Sequence, residues 1–205
     1  PVILFTSSVK GEGKTTISMN SALSLSSNKR VVIIGADLRN PQLKRYIPGN
    51  HIGLSDYLAD DSVQISAIIN ASGLHPNLDI IDSGNIPPNP TDLLEDGRLQ
   101  LILDQLVTMY DYVLIDSAPM MMVSDTFHIL NKADILVYVA RANYTEKKLL
   151  EYVNTVSTDE NVSKIGIVLN DVKKDELRYG YGGKYGYGYF TEEKITLWER
   201  FRAIF

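Results

Sequence analysis

A doubly wound α/β fold, with a mainly parallel β-sheet flanked by helices, is predicted by three features of this 205-residue sequence. Short apolar runs alternate with segments of helical spacing, the order that builds a parallel sheet covered by helices. The runs VVIIG, YVLID and ILVYVA are nearly continuous rather than alternating, as strands buried on both faces require. A glycine-rich turn, Gly11 to Thr16, stands between the first apolar run and the first helical segment.

Taken in order, the strand candidates are Val2 to Thr6, Val31 to Gly35, Leu78 to Asp82, Tyr112 to Asp116, Ile135 to Ala140 and Ile165 to Asn170. Helical spacing covers Thr15 to Ser27, Pro90 to Met109, Ser124 to Asn131 and Thr145 to Val156, with Thr91, Ser124 and Thr145 as candidate caps. In such a sheet the ligand belongs at the carboxyl ends of the strands. No internal repeat of domain scale is present. Tyr179, Tyr181, Tyr185, Tyr187 and Tyr189 fall within eleven residues and are spaced by glycines. Glycine adds backbone entropy that burial must overcome, so this stretch predicts a flexible tail with reachable phenols. Beyond it, Ile195, Trp198, Phe201, Ile204 and Phe205 form one apolar stripe at helical spacing. That helix is expected to dock on its own domain or on a neighbouring subunit, with membrane contact the lesser option. The expected organisation is a catalytic domain over 1–177, a tyrosine cluster over 178–190 and an amphipathic helix over 191–205.

Composition narrows the classes. A chain of this length buries roughly 70% of the surface its unfolded form exposes, enough for one domain without a metal or disulfide staple. The sequence has no cysteine, which excludes disulfide frameworks, thiolate zinc sites and cysteine nucleophiles. His51, His75 and His128 lack metal-ligand spacing and read as surface or packing residues. A net charge of −5 argues against a nucleic-acid partner. No apolar run approaches the roughly 20 residues that span a bilayer. The chain opens almost inside its first strand, so an excised domain or a missing N-terminal segment is expected.

The chemistry concentrates at Gly11-Glu12-Gly13-Lys14-Thr15-Thr16, which follows a strand and opens a helix. That context lets backbone amides point at phosphate oxygens. Lys14 is placed to bridge the outer phosphates of ATP, and the Thr15 hydroxyl to ligate Mg2+. The full phosphate-loop pattern asks for glycine five residues before Gly13, where this chain has Ser8. Magnesium also needs oxygen ligands from neighbouring strand ends. Asp116 ends one apolar strand and Asp37 follows another, so both are candidates. Asn170, ending the last strand, is placed to read the adenine edge. Arg39 and Arg141 lie just beyond strands and face either phosphates or a neighbouring subunit. The fold expected is thus a P-loop NTPase version of the doubly wound sheet.

Five segments carry a resemblance to the bacterial tyrosine kinase family, the autokinases of capsule and exopolysaccharide assembly: SSVKGEGKTT, IIGADLRNP, GNIPPNPTDLL, YDYVLIDSAP and the terminal tyrosine cluster. The resemblance covers essentially the whole chain. It implies that Lys14, Thr15, Asp37 and Asp116 hold ATP and magnesium, with catalytic roles for Lys14, Asp37 and Asp116. It implies phosphorylation of the tail tyrosines by a neighbouring subunit of a ring-like homo-oligomer. It also implies a membrane polysaccharide co-polymerase or activator, fused or separate, a cognate tyrosine phosphatase, and a place at the cytoplasmic face of the inner or plasma membrane. One departure stands out: the family's second Walker-type motif usually has two aspartates separated by one residue, and Gly35 replaces the first. Either Asp37 then serves alone as general base, or catalysis rests on positioning and charge neutralisation.

Two other functions compete. A partitioning or positioning switch ATPase of the ParA/MinD type shares the fold but usually has a further lysine at the position of Val9. A catalytically impaired regulatory module would explain Gly35. The tyrosines outside the tail, Tyr46, Tyr57, Tyr110, Tyr112, Tyr138, Tyr144 and Tyr152, read as packing residues rather than acceptors.

Overall fold

The computed structural model describes residues 1–47, 52–157 and 164–173. Seven strands form one sheet: β1 (Val2–Ser7), β2 (Val31–Gly35), β3 (Ile69–Ala71), β4 (Leu78–Ile81), β5 (Tyr112–Asp116), β6 (Ile135–Arg141) and β7 (Ile165–Asn170). Their order across the sheet is β3-β4-β2-β5-β1-β6-β7. Every pairing is parallel except that of the edge strand β3 with β4.

The helices are α1 (Lys14–Leu25), α2 (Leu54–Ala59), α3 (Ile65–Ile68), α4 (Pro90–Glu95), α5 (Arg98–Met109), α6 (Asp125–Leu130) and α7 (Lys147–Ser157), with a 3-10 turn at Leu43–Tyr46. Side-chain alternation along the strands splits the core in two. Val31 and Ile33 of β2 pack with Leu114, Phe5, Leu78, Ile80 and Leu43 on the side that α1 covers through Met19 and Ala22. Val32 and Ile34 pack on the opposite side with Leu4, Val113 and Ile115. Leu54, Leu58, Leu94, Leu99, Ile102, Leu106, Ile129 and Val153 cover that second face.

All six predicted strands are present. The seventh, β3, is three residues long and antiparallel, too short to show a period. The expected single helix over Pro90 to Met109 is two helices, because Asp96 adopts extended angles (φ −60°, ψ 137°) and Gly97 precedes the second. The caps also differ. Asn89 precedes Pro90 at the start of α4, while the Thr91 hydroxyl bonds Asp125 instead. Ser124 does precede α6, but its side chain makes no capping bond. Thr145 turns its hydroxyl to Glu12 in the glycine-rich loop. The short helices α2 and α3 were not anticipated.

The chain divides into two compact units, Pro1–Asp171 and Val172–Phe205. Of the second unit only Val172 and Lys173 are described, so the tyrosine cluster and the expected C-terminal helix lie outside the described residues. Among the described residues no helix is long and apolar enough to cross a membrane.

Candidate active site

The carboxyl ends of β1, β2 and β5 frame a cleft of about 480 Å3 lined by the loop from Val9 to Thr16, by Asp37, Arg39 and Arg45 after β2, and by Pro119, Met122 and Val123 after β5. Strand register explains its chemistry. Asp116 pairs with Gly35 on one side and Phe5 on the other. It lies two residues beyond Leu114, so its side chain emerges on the α1 face. There it accepts hydrogen bonds from Lys14 Nζ at 2.9 Å and Thr15 Oγ1 at 2.7 Å, both from the first turn of α1. The ion pair is buried, with side-chain exposures of 8% and 2%.

Asp37 is nearly buried and lines the same cleft. Burial raises its carboxyl above the ordinary value and the neighbouring Asp116 charge adds to this, while Lys14 and the Asn40 N–H, 3.0 Å from Oδ1, oppose it. A cleft with buried carboxylates beside a lysine and a helix N-terminus suits a polyphosphate carrying a hard divalent cation. The residues present therefore fit a magnesium nucleotide.

The glycine-rich loop is braced from the β6 and β7 side. Gly13 has φ 95°, and a Cβ there would collide with Asn170 Nδ2. That amide instead donates to the Glu12 carbonyl at 3.0 Å, so the residue expected to read adenine has its nitrogen committed to the loop. The Glu12 side chain is also engaged: its carboxylate accepts from the Val9 N–H at 2.8 Å and from the Thr145 hydroxyl. Tyr144 Oη donates to the Lys10 carbonyl at 2.9 Å, and Arg141 Nη1 to the Gly11 carbonyl at 3.0 Å. Sequence reasoning read Glu12 as a backbone contact and Thr145 as a cap. Only the tertiary fold brings them together, 133 residues apart.

The departure from the general phosphate-loop pattern at Ser8 and that from the family's second motif at Gly35 each have a structural counterpart. Ser8, where glycine is usual, is buried with its hydroxyl 2.6 Å from Tyr138 Oη. At Gly35 a Cβ would lie 2.6 Å from Ser83 Oγ and 3.2 Å from the Ser83 backbone nitrogen. The space for an aspartate side chain is thus taken by β4's C-terminal neighbour. Asp82 beside it is fully buried, and among the described residues neither of its carboxylate oxygens has a hydrogen-bond partner.

A further cluster escaped the sequence. Arg39 donates through Nε and Nη2 to the two oxygens of Asp125, at 2.8 and 3.1 Å. Thr91 Oγ1 also donates to Asp125, at 2.8 Å. Burial opposes ionisation of Asp125, but these two partners together hold its carboxyl below the ordinary range. Arg39 was expected to face phosphates or a neighbouring subunit; it lines the cleft while tied to α6. Arg141, with the same expectation, holds Gly11 and Asp171.

Fold and cleft define a phosphate-loop nucleotide-binding domain, and comparisons with known proteins narrow the class. The family pattern described as AAA domain matches residues 2–166. Tyrosine-protein kinase CpsD of Streptococcus agalactiae is 31% identical over 188 residues, covering 90% of this chain and 81% of the relative. Tyrosine-protein kinase wzc of Salmonella typhimurium is 31% identical over 197 residues, 94% of this chain but 27% of the relative. The chain likewise spans 26% of the EpsB proteins of Ralstonia, about a quarter of their length. Among solved structures, the kinase domain of Escherichia coli tyrosine kinase ETK superposes with a TM-score of 0.78 at 30% identity, covering 92% of this chain and 72% of that one. The septum site-determining protein MinD of Pyrococcus horikoshii, complexed with Mg-ADP, gives 0.69 at 20% identity over 86% of this chain and 75% of its own, a likeness of fold alone. The chain belongs to the bacterial protein-tyrosine kinase family.

Proposed function

We propose that this chain is the catalytic domain of an ATP-dependent protein-tyrosine autokinase that phosphorylates its own C-terminal cluster, Tyr179, Tyr181, Tyr185, Tyr187 and Tyr189, in trans. The observation that carries the reading is the joining of Lys14 and Thr15 on Asp116, with Asp37 on the wall of the same cleft. The amides of Gly11 to Thr16 cradle the phosphates, and Asn170 braces that loop by donating to the Glu12 carbonyl. Lys14 leaves Asp116 to neutralise charge on the outer phosphates. Magnesium, held by Thr15, Asp37 and Asp116, would supply further charge neutralisation at the transferring group.

The acceptor phenol, with an ordinary pKa near 10, attacks as a neutral hydroxyl and needs a proton acceptor. Two carboxylates line the cleft, Glu12 and Asp37. Glu12 is consumed by Val9 and Thr145. Asp37 is the carboxylate left in the cleft to take the proton. Gly35 therefore leaves the machinery with one base rather than none.

By the same reading the chain serves capsular or extracellular polysaccharide export, at the cytoplasmic face of the membrane. It acts as a ring-like homo-oligomer with a membrane co-polymerase or activator, fused or separate, and a tyrosine phosphatase resets it. The divisions 1–177, 178–190 and 191–205 are its catalytic domain, acceptor cluster and terminal helix. A mixing experiment tests the activity. Wild-type chain with Mg-ATP should place phosphate on the tail of a Lys14→Met chain of distinguishable mass. Inorganic phosphate released with no phosphotyrosine would favour the switch ATPase.

A further inference from the structure

Tyr144 is the one exposed tyrosine among the described residues, 50% accessible, whereas Tyr46, Tyr57, Tyr110, Tyr112, Tyr138 and Tyr152 are buried or half-buried. It projects from a tight turn between β6 and α7 in which Asn143 has φ 57° and the Thr145 N–H returns to the Arg141 carbonyl at 2.9 Å. Its hydroxyl donates to Lys10 in the phosphate loop, and Arg141 lies over its ring at 5.2 Å while bonding the Gly11 carbonyl. An accessible phenol thus serves as one of the outer props of the nucleotide-binding loop.

We propose that Tyr144 is a second phosphorylation site of this kinase, and that its modification loosens the phosphate loop and weakens nucleotide binding. The inference rests on the kinase reading above. Tyr144 stands on the outer side of its own loop, so the phosphate is delivered by another copy of the chain. The phenolic oxygen bonds to the terminal phosphorus of ATP, the bond from that phosphorus to its bridging oxygen breaks, ADP leaves with the electron pair, and the proton passes to solvent. Three consequences follow at the loop. The ester oxygen no longer donates to the Lys10 carbonyl. About −1.5 to −2 charges arrive beside amides that must hold the phosphates of ATP. Arg141, already against the ring, is drawn to the new dianion and off the Gly11 carbonyl. The result is self-limitation: a kinase modified at Tyr144 holds its donor nucleotide about tenfold more weakly, the scale of one charge acting near a protein surface.

The test uses the full chain with Tyr179, Tyr181, Tyr185, Tyr187 and Tyr189 changed to Phe, incubated with Mg-ATP and mapped by peptide mass. Mixed with a Lys14→Met chain bearing the native tail, the same protein shows whether it remains an active kinase. Phosphate on Tyr144, absent when Tyr144→Phe is added, is expected. Calorimetry with Mg-ADP should then give a dissociation constant about tenfold higher for the Tyr144-phosphorylated protein than for its unmodified form. The unphosphorylated Tyr144→Phe protein, which loses the Lys10 bond without gaining charge, should stay within about threefold of the unmodified form. An active kinase that leaves Tyr144 bare, or modifies Tyr46, Tyr110 or Tyr112 in its place, overturns the site. An unchanged dissociation constant after modification overturns the regulatory role. If the wild-type chain transfers no phosphate to any tyrosine, it is the kinase reading that fails.

Discussion

Lys14 and Asp116 neutralise each other in a buried setting, so each is hostage to the other. Removing one partner of such a pair leaves an uncompensated charge and typically costs about 3–5 kcal/mol. Lys14→Met should therefore lower the unfolding free energy by roughly 3 kcal/mol in denaturant titration, as well as abolish phosphotransfer. A dead but fully stable variant would contradict the pairing. Asp37 works in the opposite sense. Its folded pKa is raised, so between the unfolded value and the folded one the native state binds more protons, and stability falls as pH rises through that window. Above it the cost is fully present. Asp37→Asn should stabilise the nucleotide-free protein at pH 7, flatten that part of the pH–stability curve, and abolish transfer to tyrosine. Gly35 and Ser83 make a third residue-scale case. Gly35→Asp should destabilise by about 1–3 kcal/mol through overpacking, and Ser83→Gly should recover part of that loss. Additive effects of the two changes would show that they do not share the space.

At the scale of elements, Arg39, Thr91 and Asp125 join the segment after β2, helix α4 and helix α6. Asp125 is buried but the Arg39 side chain is 42% exposed and stays hydrated without it, so Asp125→Ala, which removes the shared acceptor of Arg39 and Thr91, should cost about 1–2 kcal/mol. Because the folded Asp125 pKa is lowered, its contribution is present above the unfolded carboxylate pKa and is lost as pH falls through the folded value. Wild-type and Asp125→Ala stabilities should converge in acid and separate toward neutrality. Six strands were legible in the sequence because each is a buried apolar run bounded by polar turns. The edge strand β3 was not, since three residues, two half-buried and one exposed, carry no period. Lys14, Thr15, Asp37 and Asp116 were legible from their places at the ends of strands or the start of a helix. Glu12, Tyr144, Thr145 and Asp125 act through partners distant in sequence, and local spacing holds no trace of such pairs. Thr91 and Thr145 were misread for the same reason: a hydroxyl near a helix start suits a cap until a carboxylate from elsewhere outcompetes the helix backbone.

For the whole molecule, the proposed function couples a nucleotide cleft to a cluster of acceptor tyrosines on one polypeptide. Each phosphorylated tail tyrosine adds about −1.5 to −2 charges at neutral pH to a chain whose net charge is already −5. If the chain assembles as the ring-like homo-oligomer proposed above, repulsion among modified tails should loosen that assembly. Light scattering should report a smaller particle for fully phosphorylated protein than for the same protein after phosphatase, and equal sizes would contradict that coupling. The most direct test of the central claim is intact mass after incubation with Mg-ATP. Run beside it are Lys14→Met and the chain with Tyr179, Tyr181, Tyr185, Tyr187 and Tyr189 changed to Phe. The account predicts a ladder of phosphate additions in the wild type, none in Lys14→Met, and at most a single addition in the tail variant. A wild-type mass that never changes, with or without release of inorganic phosphate, would contradict it.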